Sequence, residues 1–350
     1  MKKHILSQKT LSYPWQKKRV LVTGGASFIG SHLVDQLLKK GASVRIADDF
    51  SSGKRENIAT HLHRKRIDLL EGDLRNSSFA KKSVIDIDVV FHLACDHGGR
   101  GYVDTHQADC ATNLTLDGVV FWEAKKAGVE KIVFASSGCV YPNYLQMNPR
   151  EALYLVEDRV GPPYDADNMY GWAKLMGEKT LKAYHDDWDM KTASCRFFTV
   201  YGERGKENHA IMAMIARSFL KQNPFVIWGD GTQVRNWTYV GDIIRGMILA
   251  AEKIDDGTSV NLGTMERIQV MEAAIETLQY TKHHARIETQ PQMPKGPLNR
   301  VADNNLALSL LGWQPNMKFI DGLHKTIEWY FAHKKRDEVA KLLPRLLTNR

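Results

Sequence analysis

A strand that breaks into glycine and restarts as a helix within a dozen residues constrains this chain most. Arg19-Val-Leu-Val-Thr23 is short and β-branched, Gly24-Gly25-Ala26-Ser27-Phe28-Ile29-Gly30 follows at once, and Ser31 to Lys40 has apolar residues at helical spacing before Gly41. Such a turn lets the backbone approach a pyrophosphate, whose charge meets the unpaired N–H groups at the helix start. Ser27 occupies the middle position of G-x-x-G-x-x-G, where its side chain is expected to crowd the pyrophosphate more than glycine does. Asp48 lies 18 residues beyond Gly30, closing the apolar run Val44–Asp48. A carboxylate there accepts hydrogen bonds from a ribose diol and repels a 2′-phosphate, so NAD is expected rather than NADP.

Asp88–Ala94 and Lys131–Ser136 read as further strands with helical stretches between them. Strands alternating with helices make right-handed βαβ units and a parallel sheet. The expected fold is α/β, a Rossmann-type doubly wound parallel sheet over residues 18–200. Residues 236–262 are expected to return to it through a helix at 242–252. Beyond residue 200 the alternation weakens and Gly, Pro, Trp and Asn become frequent. Residues 201–235 and 263–335 are therefore expected to form a smaller C-terminal substrate-binding lobe.

The 350 residues include 48 Lys and Arg against 40 Asp and Glu, a formal charge of +8 that invites a nucleic-acid reading. The placement of the charge opposes it. Residues 1–19 hold six basic and no acidic residues, residues 331–350 hold six basic and two acidic, and the 311 between them sum to −2. Residues 1–17 and 336–350 are read as solvated basic tails, and no nucleic-acid partner is expected. No run of about 18 apolar residues occurs and the start lacks the apolar core of a signal peptide, so a cytoplasmic chain without a membrane partner is expected. Cys95, Cys110, Cys139 and Cys195 show no C-x-x-C pairing and no clustered histidine, which implies neither a disulfide framework nor a metal site.

Tyr170-Gly-Trp-Ala-Lys174 places a phenol and an ammonium four residues apart on one helical face. Bringing a tyrosine from about 10 to near 7 takes roughly 4 kcal/mol, which a neighbouring cation is expected to supply, making Tyr170 a base at neutral pH. Ser137 ends the run from Phe134, outside the carboxyl edge of the sheet where open α/β folds bind ligands. Asp73, just after the next strand, is a candidate partner for an adenine amino group.

Together the turn Thr23–Gly30, Asp48, Gly72-Asp73, Phe91–Ala94, Asn113, Ser136-Ser137, Tyr170-x-x-x-Lys174, Tyr201-Gly202 and Arg235 resemble the extended short-chain dehydrogenase/reductases that act on nucleotide sugars. The resemblance covers residues 18–335. It implies an NAD-dependent homodimeric enzyme whose cofactor lies on Gly24, Ser27, Phe28, Ile29, Gly30 and Asp48. Asp73, Leu74, Leu93, Ala94, Asn113, Tyr170 and Lys174 complete that expected set. A nucleotide-diphosphate sugar is then expected on Gly99, Arg100, Asn208, His209, Arg235 and Arg300, with the guanidinium forks of Arg235 and Arg300 matching phosphate oxygens.

Within that family Gly98–Val103, Ser136–Pro142, Trp228–Arg235, Arg300–Asn305 and Gly312–Met317 resemble the GDP-mannose 3,5-epimerases, where the position matching Cys139 is a catalytic acid/base. The implied catalytic set is Ser137, Cys139, Tyr170 and Lys174. Tyr170 would take the 4-hydroxyl proton as NAD takes the C4 hydride, which makes the C3 and C5 protons of the 4-keto sugar acidic. One group then removes such a proton and another returns it on the opposite face. A thiol with pKa near 8.5 suits either role.

The lysine those epimerases use after Tyr-Gly falls nearest Asn208 or His209, with Lys206 two residues before Asn208, so the second acid/base stays open. Phe197–Gly202, with Thr199, looks more like UDP-glucuronate 4-epimerases. A UDP-sugar 4-epimerase, of the UDP-glucuronate or UDP-N-acetylglucosamine type, is the alternative and needs no Cys139, because the ketone turns over in the pocket. A non-catalytic NAD-binding sensor is a third reading. Dehydratases and decarboxylases of the family carry a glutamate where Gly138-Cys139 stands, which disfavours both.

Overall fold

The computed structural model describes residues 13–346. Its centre is a seven-stranded sheet of β1 (Arg19–Thr23), β2 (Ser43–Asp48), β3 (Ile67–Glu71), β4 (Val89–His92), β5 (Lys131–Ser137), β6 (Lys191–Phe197) and β7 (Asp256–Leu262). Every pairing is parallel and the order is 3-2-1-4-5-6-7. The β4 and β5 strands are buried along their whole length, which is why they read as continuous apolar runs instead of alternating ones.

Side-chain parity divides those strands between two cores. Val20, Val22, Val89, Phe91 and Val133 face α1 (Phe28–Lys39) and the helix at Val240–Lys253. Leu21, Val90, Ile132 and Phe134 face the opposite layer, built from α2 (Asn113–Lys126) and α3 (Asn168–Trp188). The strand order reverses where β1 lies between β2 and β4, and the crevice above that reversal is where such sheets hold ligands. The helix expected at 242–252 is Val240–Lys253, and β7 follows it onto β6.

The residues expected to form a smaller lobe make small sheets. Phe225–Trp228 pairs with Ile287–Gln290, and Val234–Arg235 lies between Ile268–Gln269 and Asn299–Arg300. Two-residue strands are too short to show a period of two in sequence. Their register nonetheless sets Arg235 opposite Arg300 on neighbouring strands.

The tail reading needs correction at both ends. Arg336–Leu346 is a helix with Val339 and Leu343, one turn apart, in the main core. Trp15, within the 1–17 stretch, is buried and its indole N–H donates to Glu252 Oε1 at 2.7 Å. Basic residues surround these anchors and conceal them in a charge count. Residues 1–12 and 347–350 of the expected tails lie outside the described residues. Among the described residues no helix is long and apolar enough to cross a membrane.

Candidate active site

The glycine turn is built by close approach. Gly24 has a φ of 66°, and a Cβ on it would sit 3.1 Å from the Ala94 backbone. A Cβ on Gly30 would run into the Gly24 carbonyl oxygen, so the first turn of α1 packs directly on the loop. Ser27 Oγ donates back to that carbonyl at 2.6 Å, so the serine folds onto the turn, relieving the crowding expected of it. Asp48 accepts from the Ala26 and Phe50 N–H groups, each at 2.9 Å, and its carboxylate faces the cleft from the end of β2.

Thr23 Oγ1 accepts from the N–H groups of Leu93 and Ala94 at 3.0 Å and meets His92 Nδ1 at 2.8 Å. This buried bridge fixes the wall that Leu93 and Ala94 present to the cleft. Phe28, Ile29, Asp73 and Leu74 line the same cleft. Asp73 is gripped by the Arg75 guanidinium, whose hydrogen bonds hold its carboxyl below the usual range. Asn113 departs from expectation: it is fully buried and does not line the cleft. Its amide accepts from the Asp96 N–H at 2.6 Å and donates to the Asp96 and Cys110 carbonyls, so it shapes the loop after β4.

At the other end of the cleft, Ser137 closes β5 and accepts from the Cys139 N–H at 3.1 Å. Tyr170 stands in the first turn of α3, which approaches because residue 171 is glycine: a Cβ there would run into the Cys139 carbonyl oxygen. Burial pushes the Tyr170 phenol well above its usual range, helped by Cys95 and Cys139 and opposed by a hydrogen bond with Ser137. Burial thus outweighs the lowering expected of Lys174. Lys174 Nζ lies 5.9 Å from the Tyr170 ring centroid and 4.5 Å from that of Phe134, behind the cleft wall. It is buried and, among the described residues, has no hydrogen-bond partner.

The Cys139 thiol lies against a guanidinium. Arg300 Nη1 donates to its sulfur at 3.1 Å, Arg300 Nη2 to Asp167 Oδ2 at 3.0 Å, and Arg300 Nε to Gln146 Oε1 at 2.7 Å. Arg100 Nη1 shares the same Asp167 oxygen at 2.7 Å. Burial works to raise the Asp167 pKa, but Arg300 and Arg100 outweigh it and hold the carboxyl low.

Gly99 and Asn208 meet directly, since a Cβ on Gly99 would strike the Asn208 carbonyl. His209 precedes the helix Ala210–Phe219 and lines the cleft; burial, then Lys206, brings its imidazole down to about 4. Lys206 Nζ donates to Ser52 Oγ at 3.1 Å, toward the loop beyond β2. Arg235 donates to the Val234 and Lys295 carbonyls at 2.9 Å and lines the cleft.

Sequence reasoning missed two cleft residues, His97 and Arg217, and two buried partners, Gln146 and Asp167. His97 stacks on Tyr170 with ring centroids 4.4 Å apart and lies 5.6 Å from His209. Arg217 lines the cleft and is buried, with no side-chain hydrogen bond or ion pair among the described residues. A lone arginine in the apolar helix Ala-Ile-Met-Ala-Met-Ile-Ala-Arg-Ser-Phe was a legible signal for it. Gln146, which accepts from Arg300 Nε and so orients it, is fully buried, and Asp167, three residues before Tyr170, matches no spacing rule.

A switch-point cleft with a dinucleotide turn at one end and a serine–tyrosine pair at the other defines a nicotinamide-dinucleotide enzyme. Comparison with known proteins narrows the class. The chain belongs to the NAD dependent epimerase/dehydratase family, whose model matches residues 20–263. It is 31% identical over 322 residues to GDP-mannose 3,5-epimerase 1 of Oryza sativa, covering 91% of this chain and 82% of that one. Its fold matches a UDP-glucuronic acid 4-epimerase from Bacillus cereus in complex with UDP-glucuronic acid and NAD, at TM-score 0.79 and 29% identity, over 89% of this chain and 98% of that one. A UDP-glucose 4-epimerase from Thermotoga maritima superposes at TM-score 0.78 with 27% identity, over 89% and 98% of the two chains. The protein is thus an NAD-dependent enzyme of the nucleotide-sugar epimerase and dehydratase class.

Proposed function

We propose that this enzyme epimerises a nucleotide sugar at C3 and C5 through a transient 4-keto sugar, in the manner of the GDP-mannose 3,5-epimerases. Cys139 carries the reading. Its thiol lies in the cleft wall two residues beyond Ser137, against the Arg300 guanidinium, where elimination chemistry would need a carboxylate.

The residues present fit NAD: the glycine turn leaves its backbone bare for a pyrophosphate, and the buried, unpartnered Lys174 ammonium has room in its hydrogen-bonding for a ribose diol. NAD, when bound, accepts a hydride from the sugar and returns it. The turn from Gly24 to Gly30 would hold the pyrophosphate, Asp48 a ribose, and Asp73 with Leu74 the adenine. Ser137 hydrogen-bonds the 4-hydroxyl, and Tyr170, once it has lost its own proton beside the Lys174 ammonium, takes the hydroxyl proton and later gives it back. Cys139 moves a proton at C3 or C5. His209, neutral at pH 7, serves as its counterpart, because Lys206 is directed to Ser52. Arg217 and Arg235 take the diphosphate.

A UDP-sugar 4-epimerase is the second reading, favoured by Thr199 in the cleft wall. A homodimer through α2 and α3 is part of the proposal, supported by Leu114, Trp122, Trp172, Met176 and Trp188 exposed on these two helices.

The test is incubation with GDP-mannose, UDP-glucuronate and UDP-N-acetylglucosamine in D₂O, followed by NMR of the sugar. Deuterium at C3 or C5 that Cys139→Ala abolishes is the expected result. Inversion at C4 without exchange would favour the 4-epimerase instead, and full exchange in the alanine variant would remove the thiol from the reaction.

A further inference from the structure

The loop after β4 fixes His97 from both sides. Before it, the Asp96 N–H donates to the buried Asn113 side chain at 2.6 Å, which donates back to the Asp96 carbonyl at 2.9 Å, and the Tyr102 hydroxyl donates to the Asp96 carboxylate at 2.7 Å. After it, a Cβ on Gly98 would sit 2.6 Å from Tyr102 Cβ, and one on Gly99 would sit 1.7 Å from the Asn208 carbonyl oxygen. Held this way, the imidazole lies in the cleft and stacks on the Tyr170 ring, with centroids 4.4 Å apart and planes 28° from parallel. None of the proton transfers assigned above uses it.

Tyr170 needs a second cation to act as a base. Burial pushes its phenol up, and Lys174 Nζ stands 5.9 Å from the ring centroid. An imidazolium stacked on the ring would be nearer than that ammonium, and the attraction grows as the separation shrinks. Imidazole is also the side chain whose charge ordinarily changes near neutral pH. The balance closes without a co-reactant: the phenol O–H bond breaks, an imidazole N–H bond forms, and the net charge of the pair is unchanged.

The groups around His97 permit that charge. His209, with its centroid 5.6 Å away, is neutral at pH 7 because burial and Lys206 bring it down to about 4, so it does not repel an imidazolium. Lys206 and Arg100 oppose the charge from the same cleft, but Lys206 is directed to Ser52 and Arg100 is paired with Asp167 and Asp104. The Asp96 carboxylate, on the adjacent residue, favours it. Cys95 and Cys139, which face the cleft on either side of Tyr170, carry no charge as thiols.

We infer that His97, in its protonated form, is the second cation that holds the Tyr170 phenolate, a positioning residue that acts through Tyr170 and not on the sugar. This rests on the reading of Tyr170 as the base, and the experiment separates the two. Tyr170 is followed in the holoenzyme by the near-ultraviolet absorbance of phenolate, as the wild-type titration less that of Tyr170→Phe, a readout that needs no substrate. His97→Phe keeps a stacked ring without the charge, and His97→Gln keeps a neutral polar side chain without the ring. In both, the Tyr170 titration moves up by at least about one pH unit. The acid limb of turnover moves with it, for whichever of GDP-mannose, UDP-glucuronate and UDP-N-acetylglucosamine is converted. A purely packing role for His97 would leave the titration of His97→Phe at its wild-type position and confine the effect of His97→Gln to kcat. A titration unmoved in His97→Phe overturns the inference, and if that variant does not fold, a titration unmoved in His97→Gln does so. Turnover retained in Tyr170→Phe instead removes the reading of Tyr170 as the base, whatever the His97 variants show.

Discussion

His209 enters the folded chain as a neutral base. Burial and the nearby Lys206 bring its imidazole down to about 4, whereas an unfolded chain leaves it near the ordinary value of about 6.5. Between those values the unfolded state binds the proton more readily, so folding stability falls as pH drops below about 6.5 and the loss is complete near 4. His209→Asn is expected to flatten that stretch of the stability-versus-pH curve, measured by urea denaturation of the ligand-free chain. An unchanged slope would place the imidazole in solvent. The same balance explains what sequence could and could not say about Tyr170. Four-residue spacing correctly put Tyr170 and Lys174 on one helical face, but spacing reports adjacency and not desolvation, and burial moved the phenol the opposite way. Asp167 was illegible for a related reason: its partners Arg100 and Arg300 stand 67 and 133 residues away, joined only by the fold.

The α3 helix joins the cofactor region to the chemistry. Tyr170, Lys174 and Glu178 follow at intervals of four on its buried face. Glu178 accepts from Arg196 Nε and Nη2 at 2.9 and 2.8 Å and from Ser259 at 3.0 Å, tying the helix to β6 and β7. At its first turn Gly171 lets the helix touch the Cys139 backbone. Gly171→Ala must push that turn away from Ser137 and Cys139, and a misplacement of this kind costs about 10²-fold in kcat. NAD content is expected to fall less than turnover, because the glycine turn and Asp48 are on β1, β2 and α1 and only Lys174 moves with α3. Turnover close to wild type in the alanine variant would mean that the approach of α3 does not set the geometry. Elements buried on both faces, such as β4 and β5, were legible in sequence because their apolar runs are continuous. The two-residue strands that carry Arg235 and Arg300 were not, since so short a pairing leaves no period.

On the scale of the whole molecule, the +8 charge first suggested loose basic ends, yet the C-terminal end is a structural prop for the substrate region. Arg336 Nε donates to the Phe219 carbonyl at the end of the helix Ala210–Phe219, and Val339 and Leu343 bury themselves in the core beside it. One turn upstream, Tyr330 donates to Glu207 at 2.9 Å and Lys334 pairs with it at 3.1 Å, holding the segment that presents Asn208 and His209. That segment is fastened on its other side to α1, where Arg204 pairs with Asp35 at 2.9 Å and the His32 ring meets the Glu203 carbonyl. The last helix thus closes a frame that runs from the cofactor side of the cleft to the substrate side. A chain ending at residue 335 would expose the surface covered by Val339 and Leu343, each worth about 1.5–3 kcal/mol when fully buried, less the ordering entropy of the helix that carries them. A net loss of about 3 kcal/mol is expected by denaturant unfolding, together with a larger fall in nucleotide-sugar affinity than in NAD affinity, because the helix leans on Ala210–Phe219 and not on the glycine turn. Equal losses for both ligands would mean that the helix supports the whole fold without favouring the substrate side, and no loss at all would restore the solvated tail.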